Sequence, residues 1–383
     1  MPNEESQSRG LGRRGFLAAG VAGIGGVLLG GNASASEGRA VTSTVYIGSF
    51  TSWGTPPGRG LQIGTVDEAT GKLTVTGRVD GVADPSFFAF SRDRRILYTT
   101  NETGSGSVTA LDIADPNRPV VLNKQPTGGG GPTHLSVHPS GQYLLTANYT
   151  SGSVVVHPLR PDGQIGPSTD LVKHTGDTRE PHAHQIVTDP SGRWVVAVDL
   201  GADSVYVYGL DLATGKLKLN QQLKLPVGNG PRHLVFHPNG QFAYILGELR
   251  SEITVAAWDP AAGKLTPGQV IGTLGGATPA QNFPAEIQVS GDGRFVYASN
   301  RGHDSIATFT VQENGKRLTF GSTTPTGGKW PRHFTLNPNG TRVYIANQNS
   351  NTVNWLPRDP ATGKLGPSAG SAAVNTVGIV LYR

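Results

Sequence analysis

Six times along the chain a short polar-to-apolar run, a glycine turn and a second apolar run recur, and this repeat restricts the fold more than any other feature. The copies read PSFFAFSRDRRILYTTN from Pro85, PTHLSVHPSGQYLLTAN from Pro132, HAHQIVTDPSGRWVVAVD from His182, PRHLVFHPNGQFAYILGE from Pro231, PAEIQVSGDGRFVYASNR from Pro284 and PRHFTLNPNGTRVYIANQ from Pro331. From Pro85 to Pro132 is 47 residues, from Pro132 to Pro231 is 99 across two units, and the next two steps are 53 and 47. A period of about fifty residues belongs to propeller blades and not to helical solenoids.

Each unit continues with a third strand, as in GSVTAL after Gly106, DSVYVY after Asp203 and DSIATF after Asp304, and often with a turn ending in Gly-Lys-Leu. That turn stands at Ala69, Ala213, Ala261 and Ala361, where glycine supplies the positive φ of a tight hairpin. Four antiparallel strands per unit follow. Strands over 45–50 and 60–67 precede the first full unit, and an apolar strand from Val374 to Tyr382 follows the last. One blade built from both chain ends closes a ring of seven and removes open sheet edges. The expected fold is therefore all-β, a seven-bladed β-propeller of four-stranded antiparallel blades. The 54 glycines and 27 prolines among 383 residues suit such a turn-rich domain.

The N-terminus reads differently. Arg13-Arg14 precedes a weakly apolar Gly- and Ala-rich stretch, 18–31, and then Ala33-Ser34-Ala35. This is the pattern of a twin-arginine export signal, residues 1–35, with the mature propeller over 36–383. The expected location is extracellular or periplasmic, the export machinery is an expected partner, and no membrane span is expected after cleavage. Removing residues 1–35 takes away Arg9, Arg13 and Arg14 against Glu4 and Glu5, so the net charge of +5 falls to +4. No basic run with interleaved aromatics occurs, which argues against nucleic acid. With no cysteine there is neither a disulfide nor a thiol nucleophile.

Aligning the copies on their first strand locates a candidate site. In one phase stand Ser86, Thr133, His184, Arg232, Ala285 and Arg332; one residue later come Phe87, His134, Gln185, His233, Glu286 and His333. An ordinary buried strand would carry apolar residues there, because unpaired buried charge is expensive. The second strand runs back to the same face, and its end carries Asn101-Glu102, Asn148-Tyr149, Asp199-Leu200, Gly247-Glu248, Asn300-Arg301 and Asn347-Gln348. His184, Arg232, Glu248 and Arg301 thus share one solvent-filled mouth of the central channel. They are the parts for acid/base work on an anionic substrate. His182, His233, Glu286, Arg332 and His333 complete the candidate substrate-binding set.

Other motifs carry less. His138 and His237 precede Pro-Ser-Gly and Pro-Asn-Gly turns and read as turn caps; Asp203 and Asp304 read as turn residues. Gly366-Pro-Ser-Ala-Gly370 matches a nucleophile-elbow pattern, but it follows a hairpin and opens no helix. The Gly run at 128–131, Gly228-Asn229-Gly230 and Gly327-Gly328 recur as blade-joining loops. His182-x-His184 lacks the cysteine or paired carboxylate that would complete a metal shell, so neither metal nor cofactor is expected.

Taken in order, HAHQI with DLGADSV, GPRHLVFHPNG with GEL, AEIQVSGDGRFVYASNRG, and WPRHFTLNPNG with ANQ resemble the lactonase family of seven-bladed propellers. That family includes cycloisomerase-type 6-phosphogluconolactonases and fungal carboxymuconate lactonizing enzymes, and the resemblance covers residues 41–383. It implies catalysis by a His, an Arg, a Glu and an Arg, which match His184, Arg232, Glu248 and Arg301, with His182 as the other candidate imidazole. The implied activity is hydrolysis of a small sugar-type, possibly anionic, lactone. Its alternatives are muconate-type lactonization and a non-enzymatic binding propeller of the cell envelope.

Overall fold

The computed structural model describes residues 41–383; the proposed signal segment lies outside them. Seven four-stranded antiparallel sheets make up the described chain. From the innermost strand outward, blade I comprises Phe88–Phe90, Ile96–Asn101, Ser107–Asp112 and Val120–Pro126. Blade II comprises Pro132–Val137, Tyr143–Asn148, Ser153–Pro158 and Asp170–Lys173. Blades III, IV, V and VI begin at Ala183, Pro231, Phe283 and Pro331 and end at Lys224, Gly272, Pro325 and Ala373. In blade VII the innermost strand is Val377–Tyr382, followed by Thr42–Ser49, Leu61–Asp67 and Leu73–Val79. Both chain ends therefore build this blade, and Val45–Ser49 pairs with Val377–Tyr382. The last strand starts later than the apolar run suggests because Thr376 turns the chain at φ +43°, its carbonyl accepting from the Phe50 N–H.

Gly71, Gly215, Gly263 and Gly363 of the Gly-Lys-Leu turns all take φ between +64° and +78°, the conformation that makes glycine necessary there. The apolar core lies between blades rather than at one centre. Seven buried clusters fill the seven junctions, for example Val196, Val205, Ile245 and Trp258 between blades III and IV. Tyrosines on second strands tie six of the seven junctions through the hydroxyl, and between blades III and IV the Trp194 indole N–H donates to the Pro260 carbonyl at 3.0 Å instead. Tyr98, Tyr297 and Tyr344 are buried in this way and donate to the carbonyls of Gly163, Gly363 and Gly71 in the next blade, at 3.0, 2.8 and 2.7 Å. A buried phenol keeps its hydrogen bond, so ring closure is directional as well as hydrophobic.

Candidate active site

A one-residue bulge in the innermost strands builds the site. Pro231 pairs with Gly247 and His233 with Leu246, so Arg232 is the extra residue; the same shift occurs at Thr133, His184 and Arg332. In a regular strand consecutive side chains alternate faces, whereas a bulge re-aims one of them. Arg232 and His233, and likewise Arg332 and His333, therefore all reach the channel. This accounts for the two consecutive polar phases in the repeat.

The loops entering these strands are pinned by aspartates. The Asp203 carboxylate accepts the N–H groups of Gly228 and Gly230 at 2.9 and 2.7 Å and pairs with Arg179 at 2.7 Å. Asp304 accepts the Trp330 N–H at 2.8 Å. Both aspartates have positive φ, as expected of turn residues, but they also fix the chain two residues before Arg232 and Arg332. His138 and His237 do cap their turns, Nδ1 accepting the N–H of Ser140 and Asn239.

At the mouth, His184, Glu248, Arg301 and Arg332 line a cavity of about 200 Å³ together with Glu102, Thr133 and Tyr149. Glu248 Oε2 lies 3.1 Å from Arg232 Nε and 2.7 Å from Arg301 Nη2, so one carboxylate sits between two guanidiniums. Arg232 also donates through Nη1 to the Ala285 carbonyl and contacts His233 Nε2 at 3.5 Å. Arg301 donates to the Phe283 carbonyl and lies over the Trp330 ring. Burial, and then the Arg301 charge, lower the pKa of Arg232 to about 9. Burial, and then Arg232, hold His184 well below the ordinary histidine range. The imidazole is therefore neutral, and its buried Nδ1 has no hydrogen-bond partner.

A deeper layer lies beneath. Phe87, His233, Glu286 and His333 meet there with Arg232 and His184. Glu286 Oε2 is 3.2 Å from His233 Nδ1 and 3.7 Å from His333 Nε2. Burial raises Glu286 and lowers His233 and His134, while His333 falls to about 4. His233, Glu286 and His333, expected among the substrate-binding residues, are packed below the mouth, because the residue after the bulge points down the channel. His182 lines neither cavity: its ring stacks on Tyr149 at 4.5 Å and its Nδ1 meets the Tyr149 carbonyl at 3.0 Å.

The family model of the seven-bladed β-propeller lactonases matches residues 44–382. The chain belongs to the lactonase family. Among relatives in the lactonase family, the Bacillus subtilis (strain 168) protein named 6-phosphogluconolactonase is 33% identical over 327 residues, covering 84% of this chain and 92% of that protein. A 6-phosphogluconolactonase of Formosa agariphila is 30% identical over 340 residues, 84% of this chain and 94% of its own length. Among solved structures, the periplasmic gluconolactonase of Pseudomonas aeruginosa superposes with a TM-score of 0.84 at 30% identity, covering 89% of this chain and 99% of that one. Within this lactonase propeller the sequence-derived quartet is brought to one place. Glu102, Tyr149 and Trp330 were missed as site residues, although Glu102 and Tyr149 occupy the strand-end position of Glu248 in their own blades.

Proposed function

We propose that the protein hydrolyses a sugar-type lactone at the mouth cavity. The observation that carries this reading is a neutral His184, with Nδ1 unpartnered, lining the same cavity as Arg301 and Glu248. Glu248 is a weak candidate for the base, since Oε2 is already held by two cations. His184 takes a proton from water as the water oxygen bonds to the ring carbonyl carbon. The resulting oxyanion faces the Arg301 guanidinium, which is already in place and needs no reorganisation, with Arg232 beneath it on the other side of Glu248. When the acyl–oxygen bond breaks, the leaving alkoxide recovers the proton from the imidazolium. The product is the open hydroxy acid, and Glu248 holds Arg301 at the cavity and Arg232 beneath it.

We further propose that residues 1–35 direct export by the twin-arginine route, on the strength of Arg13-Arg14 and the apolar stretch that follows. No helix among the described residues is long and apolar enough to cross a membrane. The deciding experiment for the activity uses purified residues 36–383 with glucono-1,5-lactone, its 6-phosphate and a carboxymuconate, followed by acid release in weakly buffered solution. Lactone opening above the spontaneous rate, lost in His184→Asn, is the expected result. Turnover of the muconate alone would assign the lactonizing direction, and turnover of none would overturn the reading.

A further inference from the structure

Arg332 and Glu102 repeat the pairing of Arg232 and Glu248. Arg332, like Arg232, is the bulged residue of an innermost strand; Glu102, like Glu248, follows the last residue of a second strand. Their blades, VI and I, flank blade VII, whereas the quartet belongs to blades III, IV and V on the other side of the ring. A substrate whose carbonyl is seated at His184 and Arg301 thus presents its far end to Glu102 and Arg332.

Glu102 is rigidly placed. Its N–H donates to the Asp84 carbonyl at 3.0 Å, and the Asp84 carboxylate is in turn held by the N–H and hydroxyl groups of Thr51 and Ser52. Arg332 Nη2 reaches both Glu102 oxygens, at 3.5 and 3.2 Å, and its guanidinium carbon lies 5.2 Å from the centre of the Phe50 ring. This single-nitrogen contact leaves lone pairs on the carboxylate free, and 21% of the Glu102 side chain remains exposed.

We propose that Glu102 is a specificity-determining residue that selects neutral polyhydroxylated lactones over phosphorylated ones. The proposal rests on the lactonase reading of the same cavity. Arg332 is the cation of the far wall and would otherwise receive a phosphate; Glu102 occupies it from within the protein. The carboxylate also accepts hydrogen bonds from sugar hydroxyls and repels a phosphate dianion, so one side chain both favours one substrate and rejects the other. In the cavity wall the guanidiniums of Arg301 and Arg332 meet the carboxylates of Glu248 and Glu102, and Arg232 lies beneath against Glu248. No guanidinium is left without an acidic partner to meet a dianion.

The test measures kcat/KM for glucono-1,5-lactone and for its 6-phosphate in the wild type, Glu102→Gln, Glu102→Asp and Glu102→Gln with Arg332→Gln. The wild type should prefer the unphosphorylated lactone. Glu102→Gln should shift the ratio toward the phosphate ester by about tenfold or more, the size of effect that removing one nearby like charge produces. Glu102→Asp should keep the wild-type preference, and the double variant should lose the gain because Arg332 is gone. An unchanged ratio in folded Glu102→Gln, or a wild-type preference for the phosphate ester, overturns the proposal while leaving lactone hydrolysis intact. If no variant hydrolyses either lactone, the hydrolytic reading fails. Calorimetric binding of gluconate and 6-phosphogluconate to the same proteins then decides the charge selectivity alone, with tighter 6-phosphogluconate binding expected only in Glu102→Gln.

Discussion

Replacing Glu248 by glutamine removes the one anion shared by Arg232 and Arg301, whose side chains are only 3% and 8% exposed. At an effective dielectric constant of about 20, contacts of 3.1 and 2.7 Å are worth about 5 and 6 kcal/mol of attraction before desolvation is counted. Much of that already offsets the burial of the guanidiniums, so the net loss is set by leaving two like charges buried together. Breaking such a buried group by removing one member costs about 3–5 kcal/mol. At about 2 °C per kcal/mol for a domain of this size, Tm should fall by roughly 6–10 °C. This reverses the expectation from sequence, where a solvent-filled mouth implies little change in stability. Lactone turnover should fall by about 10²–10³ as the arginines lose their alignment. Thermal melts and initial rates on the same preparations give both numbers, and Glu248→Gln with Arg301→Gln should recover part of the stability. A Glu248→Gln protein that melts within about 1 °C of wild type would refute the shared-anion account.

Because His184 is held neutral well below the usual histidine range, kcat/KM should stay flat from pH 7.5 to 6; an acid limb centred near 6.5 that His184→Asn abolishes would contradict the burial-lowered imidazole. His134, His184, His233 and His333 all have folded pKa values below 6.5, so below that pH the unfolded chain binds more protons and stability falls. Each such proton contributes about 1.4 kcal/mol per pH unit, and the raised Glu286 opposes with one; Tm should hold above pH 7 and drop steeply between 6.5 and 5, and a Tm constant down to pH 5 would contradict the buried neutral cluster. Deleting residues 376–383 removes the innermost strand of blade VII, including the buried Val377, Ile379, Val380 and Tyr382. At about 1.5–3 kcal/mol per buried side chain, that approaches the whole stability of a domain, so the truncated chain should not melt cooperatively, and a normal melt would argue against closure by both ends. Arg13→Lys with Arg14→Lys should strand the protein in the cytoplasm, as fractionation and mass spectrometry of the N-terminus would report; unchanged export would remove the twin-arginine assignment.

By itself the sequence determined what depends on neighbours along the chain. The spacing of the Pro-initiated units, the Gly-Lys-Leu turns at Ala69, Ala213, Ala261 and Ala361 and the apolar runs at both ends specify seven antiparallel blades, since turn conformation and strand alternation are local properties. Aligning the repeat also named His184, Arg232, Glu248 and Arg301, because a propeller converts equal positions in successive blades into neighbours around one axis. Only the tertiary structure decided how those neighbours are charged and shared. The bulge beside Arg232 places Arg232 and His233 both in the channel, Glu248 lies between two guanidiniums from blades IV and V, and Glu102 meets Arg332 across 230 residues of chain. His182, prominent in sequence, stacks on Tyr149 instead of facing the cavity. Burial and the spacing between blades set these outcomes, and both arise only when the ring closes.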